Sequence, residues 1–283
     1  MTADDARAAE PEASAGANAA SPPDSVAPAG AQAASPPDSV APAGAQAASP
    51  PDSVASAGAT AASPPDQPSL AFPLKPRLRG WLHAGMFPAV LVGGVFLTAL
   101  TDSTHVRIAC AVYTLTACLL FGISALYHRG DWGPRAAAVL RRMDHANIFL
   151  IIAGTYTPLT ILLLDDGRQR TLLWGIWAAA VIGIVFRVCW VGAPRWLYTP
   201  CYIAMGWAAV FFLPDFLRTG GIAVLSLVII GGLLYSAGGV IYGIKRPNPS
   251  PRWFGFHEVF HSFTLAAFVV HYVGISMAAY QHG

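Results

Sequence analysis

From residue 80 onward the chain is a succession of apolar runs separated by short polar links. Each run is roughly 17 to 25 residues long, the length at which a helix crosses a hydrocarbon core. There are seven, at residues 80–101, 108–127, 146–164, 172–191, 196–213, 222–244 and 254–280. No water is available inside lipid to satisfy a backbone N–H or C=O, so each run is expected to close its own hydrogen bonds as a helix. The fold class expected is an all-α membrane protein with seven transmembrane helices. Pro158 in the third run and Pro200 in the fifth each remove one backbone donor, which blurs helix ends without changing the count.

Charge excludes the soluble alternatives. Asp, Glu, Lys and Arg make up 11% of the chain, against about 25% in soluble domains. The net charge of +2 also hides two unlike parts, because residues 1–67 hold eight acids and one Arg while the remainder holds seven acids and sixteen bases. These bases sit in the links between apolar runs and form no block interleaved with aromatics. They are therefore read as topology signals, and no nucleic-acid partner is expected. Twelve bases flank the runs on the amino-terminal side and four, Arg107, Arg168, Arg170 and Arg218, on the other. The positive-inside rule then puts the amino terminus in the cytoplasm and Gly283 outside, with the chain a multi-pass protein of the inner (plasma) membrane. Arg187, in the last turn of its helix, is expected to snorkel to the interface.

Ahead of the runs, Ser21-Pro-Pro-Asp24 returns at residues 35, 49 and 63, a 14-residue period padded with Ala, Gly, Ser and Val. Copies without an apolar face cannot stack into a solenoid, and residues 1–67 are expected to form a disordered tail preceding a membrane domain at 74–283. The first residues do not read as a secretory signal, lacking a basic start and an apolar centre. The four cysteines all fall inside apolar runs without Cys-x-x-Cys spacing and are read as packing residues.

Once the loop charges are set aside, the remaining ionisable residues gather at one level. The second run ends in Ser124-Ala-Leu-Tyr-His128, the third is preceded by Asp144-His145, and the seventh begins with His257-Glu-Val-Phe-His261. Residues four apart share a helical face, so Ser124 with His128 and His257 with His261 form two faces able to close on one ion. Three neutral imidazoles and a water make the open tetrahedral site of catalytic zinc, whereas four protein ligands make a closed structural site. His128, His257 and His261 are the expected zinc ligands. Asp144 would orient and deprotonate the water, and Ser124 would hydrogen-bond the water or an oxyanion. His83 and His145 lie at the same level as further lining residues; His271 lies far deeper along the seventh run.

Two other readings of these residues fail. His257 to His261 spells the H-E-x-x-H of zinc peptidases, but no acidic third ligand follows Glu258, and Ala267 stands where one peptidase class needs His. A retinal pigment needs a Lys in its last helix, and the chain's two lysines, Lys75 and Lys245, lie in the links.

At Ser124–His128, Arg142-Met-Asp-His-Ala-Asn-Ile-Phe149, Ala153-Gly-Thr-Tyr-Thr-Pro158 and His257–His261 the sequence resembles the hemolysin III family, the bacterial branch of the progestin and adiponectin receptor (PAQR) proteins. The likeness runs from about Leu74 to Tyr280 and leaves out the repeat tail. It implies seven helices, a cytoplasmic amino terminus, zinc held by the histidines at 128, 257 and 261, and site roles for Asp144 and Ser124. The approach to the first helix departs from the family, since His83 lacks the acidic companion that many bacterial members carry there. The related adiponectin receptors and alkaline ceramidases imply zinc-dependent hydrolysis of a lipid amide or ester, with a membrane lipid as substrate or ligand. Two alternatives accompany that reading: a sensor or receptor of membrane state with a structural zinc, and a channel-forming cytolysin. A pore-former must leave the cell, which fits poorly with a chain read as a resident membrane protein.

Overall fold

The computed structural model describes residues 76–282, so the 14-residue repeats and the expected disordered tail lie outside the described residues. The described part is helical, with no strand beyond one isolated bridge between Ser250 and Phe254. Its helices are α1 (Trp81–Ala99), α2 (Thr104–Arg129), α3 (Pro134–Leu163), α4 (Asp166–Cys189), α5 (Arg195–Gly206), α6 (Leu213–Ile244) and α7 (Phe256–His282). A 3-10 helix, Trp207–Phe212, joins α5 to α6. Six helical stretches are long and apolar enough to cross a membrane, the kinked stretch Arg195–Ile244 counting as one. Their outward faces carry bare apolar side chains, among them Trp174 and Phe211, each more than three-quarters exposed. A water-soluble bundle would not carry so wide an apolar surface, and a bilayer covers it.

Neighbours in sequence are neighbours in space, and α7 closes the bundle against α1, α3 and α6. The centre is α3, whose run from Ala153 to Thr160 is buried without interruption. Apolar side chains give helices no reason to associate inside lipid, so close approach has to come from small residues. Gly154 faces the Thr116 side chain of α2, and Gly183 of α4 lies against the ring of Phe149. Two of the three buried threonines of α3 return their hydroxyls to the helix, while the Thr160 hydroxyl has no partner. Thr155 donates to the Ile151 carbonyl at 2.7 Å and Thr157 to that of Ala153 at 2.8 Å, while the Thr157 oxygen accepts from Trp177 Nε1 at 3.1 Å.

Three findings differ from the expectation. The third helix begins at Pro134 and not near residue 146, which puts Asp144 and His145 almost three turns inside it. Pro134 occupies the first turn, where its missing donor costs nothing, and Ala136 to Ala138 are strong helix formers that a search for apolar runs passes over. The fifth and sixth runs are joined, not separated by a link. Helical hydrogen bonding continues through the 3-10 segment, and the break falls at Gly221, whose φ of +70° is open to glycine. Arg187 does not snorkel. It is 2% exposed, with its guanidinium 4.3 Å above the Tyr198 ring and one nitrogen donating to the Trp190 carbonyl. An aromatic face and a helix-end carbonyl take the place of water.

Opposite the histidine-bearing end, Asp215 is buried at the start of α6 and is held by both Arg168 and Arg218. Arg168 sits in the first turn of α4, so this ion pair ties α4 to α6.

Gly183→Leu should destabilise the detergent-purified protein by about 1–3 kcal/mol, the cost of overpacking a filled contact. Gly175→Leu, on the open face of the same helix, should leave the thermal unfolding midpoint unchanged.

Candidate metal centre

The histidine-bearing end is assembled from four stretches of chain, beginning with the short segment ahead of α1. Its backbone pairs with the segment ahead of α7, Arg77 N with Arg252 O at 3.0 Å and Leu78 N with Trp253 O at 3.2 Å. Gly80 then takes φ +81°, and a Cβ there would sit 2.9 Å from that of His128. Glycine is therefore needed at this position both for the turn and for the close approach to α2. Glu258 completes the frame. One of its oxygens pairs with Arg79 and the other accepts from Gly255 N at 2.8 Å, while Asn248 Oδ1 accepts from Phe256 N at 3.0 Å. The open N–H groups at the start of α7 are thus satisfied by side chains. Glu258 is consumed as a cap and an ion-pair partner, which agrees with discarding the peptidase motif.

On this frame His128 from α2 meets His257 and His261 from α7. One ring nitrogen from each lies within 4.8 Å of the other two, and His128 Nε2 stands 3.2 Å from His257 Nε2. Two nitrogens bound to one tetrahedral zinc at about 2.0–2.1 Å stand about 3.3 Å apart. The pair therefore already has the separation that a shared cation requires, and the buried trio could hold a metal ion. Asp144 Oδ2 lies 3.6 Å from the same Nε2 of His128. The carboxylate thus approaches the same nitrogen of His128 that faces His257. Ser124, one turn before His128, is buried and lines the same cavity as Asp144.

The two further histidines expected at this level both line the cavity shared by Ser124 and Asp144. His83 stacks on His261, with centroids 3.8 Å apart and planes within 10°, and lies outside the ligand trio. His145 Nδ1 lies 2.7 Å from the Arg141 carbonyl and so carries the ring proton, leaving Nε2 to accept from Tyr242 OH at 3.2 Å. Tyr198 OH lies 3.2 Å from Tyr242 OH and extends the chain. Sequence reasoning did not find these tyrosines. They lie within apolar runs, and only the fold brings them beside His145.

A cavity of about 140 Å³ runs from these residues into the bundle. It is lined by the polar residues Ser124, Asp144, His257 and His261 and by Ile148, Ile152, Val228 and other apolar side chains of α3, α5 and α6. Reactive groups at the head of an apolar tunnel suit a ligand with one polar end and a hydrocarbon tail.

The family model described as Haemolysin-III related matches residues 73–272, a span that contains every residue of the cluster. A Bacillus cereus protein named Hemolysin-3 is 34% identical over 135 residues, or 48% of this chain and 61% of that protein, less than two thirds of its length. A Bacillus subtilis Hemolysin-3 homolog is 32% identical over 154 residues, 54% of this chain and 69% of that one. The human monocyte to macrophage differentiation factor is 24% identical over 208 residues, 71% of this chain and 83% of that one.

If the trio binds a metal, chelation should lower the thermal unfolding midpoint of the purified protein and added zinc should restore it. Free metal at a hundred times its Kd contributes about 2.7 kcal/mol. His261→Ala should show no response to either treatment. A wild-type midpoint indifferent to chelator and metal alike would reject the site.

Proposed function

Because the chain belongs to the haemolysin-III related family, we propose that it is a zinc-dependent hydrolase of a lipid amide or ester. The observation that carries this reading is the placement of Asp144, 3.6 Å from the cluster-facing nitrogen of His128 and at the head of an apolar cavity. A structural zinc would be closed by a fourth protein ligand, whereas three imidazoles beside a free carboxylate leave a position for water.

In this reading His128, His257 and His261 would hold the ion, which would supply Lewis-acid activation of a water. Asp144 would accept a proton from the attacking water and pass it to the departing amine or alcohol as the amide or ester bond breaks. Ser124 donates a hydrogen bond to the oxygen on which negative charge builds. The apolar walls hold the acyl chain and keep bulk water from the cleaved bond.

The same reading has the bundle crossing the membrane seven times, with the amino terminus cytoplasmic and the carboxyl terminus outside. Support comes from the interruption of the long α5–α6 stretch by a 3-10 segment and by Gly221. The twelve-to-four distribution of bases adds to it. The chemistry would then face the cytoplasm, in the plasma membrane.

Purified protein should contain zinc and hydrolyse a labelled ceramide or phospholipid. Asp144→Asn should keep the zinc and lose about 10²- to 10⁴-fold in rate, the usual worth of a positioned base. Full turnover by Asp144→Asn would remove this residue from the mechanism. Vesicle leakage without hydrolysis would replace the enzyme by a channel. Reporter fusions at the two termini should read opposite sides of the membrane; the same side would reject seven crossings.

A further inference from the structure

The far end of the cavity carries a second polar site that the hydrolytic reading does not use. His271 of α7 and Tyr235 of α6 both line the cavity, with ring centroids 5.6 Å apart. His271 is fixed in place by two contacts. Its Nε2 lies 3.1 Å from the Val228 carbonyl, and its ring rests on Gly231, where any Cβ would overlap it. A carbonyl can only accept, so Nε2 carries the proton and Nδ1 presents a bare lone pair. That Nδ1 is buried with no hydrogen-bond partner, and so is the Tyr235 hydroxyl. Leaving two such groups unpaired in an apolar interior is costly. The pair therefore offers one acceptor and one donor, on rings whose centroids lie 5.6 Å apart.

We infer that Tyr235 and His271 recognise a hydroxyl group carried partway along the hydrocarbon chain of the ligand. A hydroxyl is the small group that matches both partners at once, donating to Nδ1 and accepting from the phenol. An ester carbonyl or a carboxylate would satisfy only the donor, and a bare methylene neither. The inference rests on the lipid reading of the cavity and adds the substrate class, a chain-hydroxylated acyl lipid. His261 and His271 are ten residues apart on one helix, about 15 Å along the axis. That is the reach of an extended chain of about a dozen carbons. The hydroxyl is thus placed near carbon 12 when the acyl head lies at the metal centre.

Equilibrium binding to the full-length purified protein tests this with three free acids: 12-hydroxyoctadecanoate, 2-hydroxyoctadecanoate and octadecanoate. The 12-hydroxy acid should bind about tenfold more tightly than either of the others, as expected for one or two net hydrogen bonds. Tyr235→Phe, which keeps the ring and removes only the hydroxyl, should abolish most of that preference. Equal affinity for the three acids overturns the inference and would be the result if a fixed water occupied the pair. A preference that Tyr235→Phe leaves intact also overturns it, as does failure of all three acids to bind. The outcome is separable from that of the hydrolase reading. A protein that prefers the 12-hydroxy acid but hydrolyses no lipid keeps the inference and loses the enzyme. Hydrolysis indifferent to the hydroxyl does the reverse.

Discussion

The structure depends on how a mostly apolar bundle accommodates its few ionisable side chains. A carboxylate or guanidinium placed among such helices is costly unless it is paired, and each one near the core is held by a specific partner. Asp215 has Arg168 and Arg218, Glu258 has Arg79, and Arg187 has the face of Tyr198. Asp144 is the exception in kind. Its nearest counterpart is His128, an imidazole that carries charge only when protonated, at 3.6 Å. Asp144 is thus the most weakly paired of these carboxylates.

Fixing that place takes more than the helices that bear the ligands. The segment ahead of α1 pairs with the segment ahead of α7, and Arg79 reaches Glu258 one residue from His257. Gly80 allows that segment to come against His128. A chain stretch without a metal ligand therefore sets the separation between α2 and α7, which is the separation between the ligands. Within the bundle Gly154 and Gly183 let α3 come close to α2 and α4.

Much of this was legible in the sequence, for a physical reason. Apolar runs of membrane length have one backbone solution, and a four-residue spacing on a helix has one geometric meaning, so the helices and the trio His128, His257 and His261 could be read from spacing alone. Side-chain direction could not. Arg187 was expected to reach outward because it ends an apolar run, but whether a terminal side chain turns out or in depends on the neighbouring helix, here the one carrying Tyr198. Tyr242 and Tyr235 were invisible for the same reason, since each sits within a run whose polarity is set by its other residues. The start of α3 was missed because alanine forms helix without raising apolarity enough to be noticed.

The position of His83 bears most directly on whether the metal centre is open. A fourth imidazole within reach would close the coordination shell and make the site a staple between helices. His83 is buried beside His261, but it lies face to face with that ring, with the planes 10° apart and the centroids 3.8 Å apart. The lone pair of an imidazole lies in the plane of its ring. A ring stacked in parallel on a ligand therefore directs its nitrogens alongside that ligand and not across toward the ion the ligand faces. Stacking on His261 holds His83 at the cavity wall beside the trio, and a metal held by the trio would find no lone pair of His83 directed at it.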